Sequence, residues 1–226
     1  MTSIFSLALL QLPGVDTPEM TFGDIWEGGG FMMWFLAAAF VVGMVVIIWK
    51  LFDLTTKASR TRRTLRTVDG LVAEGRIAEA IEAAETSKTP AGRILAEGLH
   101  RHEEGTERVI KAIENAGMIE MAKLERGLVV LATVSTVAPL LGFLGTVIGM
   151  IQAFQAIELA GEVEATTVAG GIKVALITTA SGLAIAIPVS IAHNYFVSRI
   201  DRLVIDMEES AQRTIDHLHS METRRV

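Results

Sequence analysis

The sequence contains no cysteine, which excludes structural disulfides, thiolate metal sites and cysteine nucleophiles. It also lacks aspartate, glutamate, lysine and arginine over three long apolar stretches, residues 28–49, 127–157 and 174–198. Proton and sodium carriers almost always need a carboxylate within the membrane, because a neutral hydroxyl does not titrate. If this chain belongs to an ion-driven machine, the titrating acid must therefore come from another chain.

The three apolar stretches predict three membrane-spanning helices, because a bilayer core requires about 20 apolar residues in helical conformation. The second stretch would be roughly 46 Å long as a helix and should project beyond a core about 30 Å thick. We therefore predict an all-α integral membrane protein whose long second and third transmembrane helices extend into a helical bundle. The predicted transmembrane helices are residues 28–50, 127–157 and 166–198.

Lysine and arginine are absent from residues 1–30, whereas six bases follow the first span: Lys50, Lys57, Arg60, Arg62, Arg63 and Arg66. Such bases stay on the cytoplasmic side of a membrane. This cluster is thus a topology determinant, and nucleic acid is not an expected partner. Two of the remaining predicted segments are periplasmic: an N-terminal segment (1–27) with a short surface helix (4–12), and a short loop (158–165). The other two are cytoplasmic: a helical domain (51–126) and a C-terminal helix (199–226).

Within the cytoplasmic segments, apolar spacing predicts helices over residues 58–74 and 77–86, with a stop and restart at Pro90. A further helix should begin near Thr106. Because no proline intervenes before Pro139, we expect this helix to run unbroken into the second span. The tail, residues 199–219, continues the third span as an amphipathic helix. The sequence shows neither strand alternation nor an internal repeat.

Small and hydroxylated residues share one face of each of the last two spans, since positions 4, 7 and 11 apart coincide on a helix. These faces comprise Ser135, Pro139, Gly142 and Thr146, and Thr179, Gly182, Ala186 and Ser190. They predict a polar seam between tightly packed helices. A single membrane threonine more often bonds its own helix, but two such faces in one chain favour a functional role. We predict an ion pathway lined by Thr146, Thr179, Ser135, Thr178 and Ser190.

The other seam residues are predicted to serve packing. The glycines allow close helix approach, and the prolines bend their helices. The set comprises Gly142, Gly145, Gly149, Gly182, Pro139 and Pro188. Lys173, at the outer end of the third span, is expected to extend to the lipid headgroups.

These segments resemble a known family. Ala138-Pro-Leu-Leu-Gly-Phe-Leu-Gly-Thr-Val-Ile-Gly149, followed by Gly170-Gly-Ile-Lys-Val-Ala-Leu-Ile-Thr-Thr-Ala-Ser-Gly182 and Ala184-Ile-Ala-Ile-Pro188, resembles the MotA/TolQ/ExbB proton channel family, nearest to its ExbB and TolQ branches. Family members commonly carry a glutamate where this chain has Val174.

The resemblance implies a homopentamer in the bacterial inner membrane. Its central pore would hold the single transmembrane helices of an ExbD-like or TolR-like dimer, whose aspartate would carry the proton. Thr146 and Thr179 match the family's pore threonines. A TonB-like protein is a further implied partner, and no cofactor is implied.

We therefore predict the pore-forming subunit of a motor driven by protons or sodium, which energises TonB- or Tol-dependent transport or envelope work. The alternative is an oligomeric membrane scaffold that recruits cytoplasmic partners without conducting ions. An enzyme is the weakest interpretation, because the five histidines are scattered along the chain.

Overall fold

The computed structural model describes residues 21–161 and 165–225, and most of them are helical. The helices are α1 (Phe22–Gly28), α2 (Met32–Ala73), α3 (Ile77–Ser87), α4 (Pro90–Leu99), α5 (Thr106–Glu125), α6 (Leu128–Ala160) and α7 (Ala165–Arg225), with a short 3₁₀ turn (His102–Glu104) before α5. No strand occurs among the described residues, so the predicted all-α class is confirmed. The expected helix at 4–12 and residues 162–164 of the predicted loop lie outside the described residues.

Three of these helices, α2, α6 and α7, are long and apolar enough to cross a membrane. Helix α2 begins at Met32 rather than at residue 28, because a turn with Gly30 in the left-handed region (φ +60°) separates it from α1. Helices α2 and α7 each continue without interruption from an apolar half into a charged half. Helix α6 ends at Ala160, and the next residue, Gly161, has φ +71°, where a residue with a side chain would be strained.

Outside the apolar halves, five helical segments form a bundle: α3, α4, α5 and the charged halves of α2 and α7. Its buried core includes Leu65, Val68, Val72, Leu95, Leu99, Val109, Ile200, Leu203 and Met207. The restart at Pro90 is confirmed. Pro90 is the first residue of α4, where its missing N–H costs nothing, and the Thr89 hydroxyl accepts a hydrogen bond from the Gly92 amide at 3.1 Å.

The predicted unbroken helix from Thr106 into the second span is wrong. Helix α5 ends at Glu125, and Arg126 has an extended conformation (φ −55°, ψ 127°). Gly127 then has φ +93°, a conformation that strongly favours glycine. The chain therefore changes direction between the bundle and α6 at this glycine.

The partner that stabilises this break is Lys50, which is fully buried on α2. Its ammonium donates to the carbonyl oxygens of Leu124 and Arg126, the second at 3.0 Å. The last carbonyls of a helix have no donor within the helix. Lys50 therefore caps the end of α5 from a position 76 residues earlier in the chain. From the sequence we predicted only a role in membrane topology for Lys50, although a cation between Trp49 and Leu51 was a signal of burial.

A second buried ionic contact joins α4 to α5. The carboxylate of Glu120, which is 3% exposed, accepts hydrogen bonds from the Arg93 guanidinium and from Lys123 at 2.7 Å. Burial alone would raise the pKa of Glu120, but the two cations together outweigh burial and hold it below its usual range. The carboxylate is therefore ionised at neutral pH.

This contact predicts a loss of stability in acid. Since the folded state lowers the pKa of Glu120, its stabilising contribution is complete above the ordinary glutamate pKa of about 4.3 and is lost as the pH falls below that value. Protection of the α4 and α5 amides from hydrogen exchange, measured against the intrinsic exchange rate at each pH, should fall between about pH 5 and pH 3. This loss of protection should be smaller in Glu120→Gln and unchanged in Glu114→Gln, an exposed position on the same helix. Equal acid sensitivity in the two variants would contradict this assignment.

Candidate functional site

Helices α6 and α7 approach each other most closely where glycines meet. The carbonyl oxygen of Thr178 lies 2.9 Å from the point that a Cβ on Gly142 would occupy. The carbonyl oxygen of Ala138 lies 2.6 Å from the corresponding point on Gly182. Because both neighbours are backbone atoms, they cannot move aside as a flexible side chain can. A side chain at either glycine would therefore separate the helices.

The close contact continues toward the α6–α7 turn. The Cβ of Thr178 is 2.6 Å from the point that a Cβ on Gly145 would occupy, and the Gly171 carbonyl oxygen is 2.8 Å from that of Gly149. All four glycines proposed for packing thus lie in this contact. Gly171 belongs to it as well but was not among the predicted site residues. The adjacent pair Gly170-Gly171 was the available signal.

The two threonines at the centre of the predicted pathway lie on facing helices and are both half-buried. The Thr146 hydroxyl donates to the carbonyl oxygen of Phe143 in its own helix at 2.6 Å. The Thr179 hydroxyl donates across the contact to the carbonyl oxygen of Gly142 at 3.3 Å. Each oxygen retains lone pairs that can accept a further hydrogen bond.

The remaining predicted pathway residues differ in exposure. Thr178 is 0% exposed and donates to the carbonyls of Val174 and Ala175 in its own helix. Thr178 is one residue, or 100°, around the helix from Thr179. It therefore faces a different part of the contact and packs against Gly145. Ser135 donates to Ala132 at 2.8 Å, and Ser190 is half-buried on α7.

The two prolines lie inside continuous helices, Pro139 in α6 and Pro188 in α7. Pro139 is half-buried and Pro188 is exposed on the single chain. A proline within a helix removes one backbone donor and leaves an earlier carbonyl without its partner. Each helix therefore has, in its apolar half, a backbone carbonyl that lacks its usual donor four residues later.

Among the described residues, a charged side chain adjoins the contact near the end that lies beside α1. Lys173 is exposed, and its Cε lies 3.4 Å from the point that a Cβ on Gly28 of α1 would occupy. The neighbouring Val174 is oriented toward α6, with its Cβ 3.4 Å from the corresponding point on Gly149. An aliphatic side chain thus occupies the place at the α6–α7 contact where the resemblance leads us to expect a carboxylate.

The outward faces of both helices are apolar and uncovered within one chain. Large exposed side chains include Leu140, Phe143, Leu176 and Ile191. Exposed apolar area of this extent is stable only against lipid or against other apolar chains. The glycine contact therefore lies where lipid or other apolar chains surround it.

A family model supplies the decisive comparison. The model described as the MotA/TolQ/ExbB proton channel family matches residues 86–209, which include α4 to α6 and most of α7. The chain belongs to this family. Together with the three apolar helices, membership makes it a multi-pass protein of the inner membrane. The family is one of transport and channel proteins rather than of known enzymes.

Individual relatives of this chain are named after the ExbB and TolQ branches of the family. A biopolymer transport ExbB homolog of Methanothermobacter thermautotrophicus is 33% identical over 79% of this chain and 63% of its own length. The Tol-Pal system protein TolQ of Pseudomonas aeruginosa is 42% identical over 43% of this chain and 42% of its own. The biopolymer transport protein ExbB of Xanthomonas campestris is 42% identical over 44% and 39%. The matches thus span between about two fifths and two thirds of these relatives.

Proposed function

We propose that this protein is the pore-forming subunit of an ion-driven motor in the inner membrane. It acts with an ExbD-like or TolR-like partner to energise TonB- or Tol-dependent transport or envelope work. The ExbB and TolQ names of its relatives support this choice.

One observation carries the proposal: α6 and α7 supply hydroxyls and backbone acceptors but no carboxylate along residues 127–157 and 174–198. Such a surface can hold water and hydrogen-bond a protonated acid, but it cannot release a proton. The titrating carboxylate must then be contributed by a partner helix placed beside Thr146 and Thr179. Ser135 and Ser190 extend this surface along the two helices, whereas Thr178 serves their packing.

We further propose an assembly of five copies around a partner dimer. The exposed apolar faces of α2, α6 and α7 support it, because contacts between copies and with lipid would cover them. We also propose that the N-terminus lies in the periplasm and the bundle in the cytoplasm. This orientation is supported by the absence of bases from residues 1–30 and by the basic residues that follow the first span.

The threonines provide the test. We expect the double variant Thr146→Ala/Thr179→Ala, reconstituted in proteoliposomes with its single-span partner, to conduct protons at about one tenth of the wild-type rate or less. Loss of each hydroxyl removes a hydrogen bond of about 1 kcal/mol from the pathway. The two losses together exceed the roughly 1.4 kcal/mol that corresponds to a tenfold change in rate. Proton flux under an imposed potential measures the effect.

The matched control is Thr133→Ala/Thr136→Ala. Both residues are exposed threonines of α6 that bond their own helix, at 2.8 Å and 3.1 Å. This control should retain the wild-type flux. Full flux in the Thr146/Thr179 variant would refute the pore assignment. Absence of partner-dependent flux in the wild type would instead favour the membrane scaffold.

A further inference from the structure

A groove of about 540 Å³ lies between α2 and α7, just beyond their apolar halves. Five arginines line it, against a single acid, Asp206; the arginines are Arg62, Arg63, Arg66, Arg199 and Arg202. Arg62 pairs with Asp206 at 3.1 Å. Within residues 21–161 and 165–225, the structure shows no ion pair for the other four. The groove therefore has an excess of positive charge.

The arrangement exceeds what membrane topology requires. A topology determinant needs only basic residues close to the end of a span, whichever way they face. Here three arginines of α2 converge with two of α7, from segments more than 130 residues apart in the chain. Arg60 lies on α2 among them and does not line the groove. Convergence of charge from distant segments indicates a binding site.

The chemistry of the lining selects a phosphate group. Guanidinium groups match the oxygens of a phosphate with paired, charge-assisted hydrogen bonds. Thr55, Ser59 and Thr67 lie along the same wall. The hydroxyls of Thr55 and Thr67 donate to carbonyls of their own helix, whereas that of Ser59 can donate a further bond to a phosphate. Ala58 and Leu203 contribute apolar surface between them.

The surface above the groove indicates where that phosphate comes from. Ile48, Leu51 and Phe52 lie three to seven residues before Thr55 on the same face of α2, and all three are exposed. On α7, Tyr195 and Ile191 lie above the arginines and are also exposed, the latter at 65%. Apolar surface adjoining a phosphate-binding groove at the end of a membrane span fits a lipid with its acyl chains attached.

We propose that this groove binds the phosphate of an anionic phospholipid. The headgroup lies among the arginines, and the acyl chains lie along the apolar faces of α2 and α7. A phosphate bound there would lie between the first and third spans and would offset the repulsion among the arginines that line the groove. The proposal concerns lipid binding alone and does not depend on ion conduction.

The test compares lipid binding to the full chain in detergent by native mass spectrometry. Phosphatidylglycerol should bind more tightly than phosphatidylcholine with the same acyl chains. Arg199→Gln/Arg202→Gln should weaken phosphatidylglycerol binding by about thirtyfold, since each arginine near a membrane surface contributes about fivefold. The control Arg60→Gln/Arg126→Gln removes the same charge from exposed positions outside the groove and should bind as the wild type does.

Pyrophosphate, added to lipid-free protein and separately to protein that carries phosphatidylglycerol, distinguishes the two sources of phosphate. Failure of pyrophosphate to displace phosphatidylglycerol supports the lipid, whereas binding of pyrophosphate alone places a soluble phosphate in the groove and overturns the lipid assignment. Equal loss of phosphatidylglycerol binding in both double variants would mean that the lipid is attracted by overall positive charge, and it would refute a specific site in the groove.

A second measurement leaves every arginine in place. Because the chain has no cysteine, Ser59→Cys provides a single labelling position in the groove, and Asn115→Cys provides an exposed reference on α5. Phosphatidylglycerol should shift the emission of an environment-sensitive dye at position 59 and not at position 115. No shift at position 59, or equal shifts at both, would contradict the proposal.

Discussion

Gly182→Ala is expected to destabilise the protein by about 1–3 kcal/mol relative to Gly170→Ala. An added methyl group at Gly182 would lie 2.6 Å from the carbonyl oxygen of Ala138 and 3.2 Å from the Cα of Gly142. At Gly170, nothing lies within 4 Å of the added carbon. Both changes bring the same gain of up to about 1 kcal/mol in helix propensity, because both lie inside α7. Their difference therefore isolates the cost of separating α6 from α7.

The free energy of unfolding in mixed micelles, followed by the fluorescence of the three tryptophans, measures this difference. Gly170→Ala should be neutral or stabilising. Equal values for the two variants would mean that the helices separate without cost, and the glycine contact would then contribute nothing to stability. Gly142→Ala should be less than additive with Gly182→Ala, since either methyl group alone already separates the same two backbones.

Lys50→Met is expected to weaken the junction between the bundle and α6 by about 2 kcal/mol. Methionine retains the apolar stem but leaves the carbonyls of Leu124 and Arg126 without their donor. Hydrogen bonds from a charged group contribute about 1.5–3 kcal/mol each. Part of that loss is offset, because a buried ammonium no longer has to be desolvated.

Hydrogen exchange of the peptide that includes Gly127 should accelerate by about thirtyfold in Lys50→Met, which corresponds to 2 kcal/mol. The control Lys57→Met lies two turns further along α2 and loses only a partly exposed ion pair with Asp53 at 2.9 Å. Such a pair contributes at most about 1 kcal/mol, so exchange at Gly127 should not change. An unchanged rate in Lys50→Met would show that glycine alone fixes the break.

Local signals in the sequence were sufficient for most of the helices. Uncharged length identified the three apolar helices, and Thr89-Pro90 identified the start of α4, because a cap and a first-turn proline act within a few residues. The break at Gly127 could not be found in this way. Glycine is tolerated within membrane helices, and the donor that favours ending α5 is Lys50, far away in the chain.

The candidate site was predicted to the level of a helix face but not of individual contacts. Helical periodicity grouped Gly142 with Thr146 and Gly182 with Thr179. It did not distinguish Thr178, which is buried against Gly145, from Thr179, which bonds Gly142. That distinction depends on how α6 and α7 are rotated relative to each other. Packing between the two helices determines this rotation, and the periodicity of each helix alone does not.

The break beside Lys50 has a mechanical consequence. Helices α2 and α7, about 63 Å and 92 Å long from their 42 and 61 residues, are continuous rods from the membrane into the bundle. The backbone of α6 is joined to the bundle through Gly127, where rotation about the backbone bonds would relieve a twist applied to the bundle. Motion of the bundle would therefore reach α6 mainly through its glycine contact with α7. We expect the two walls of the proposed pathway to move together for this reason.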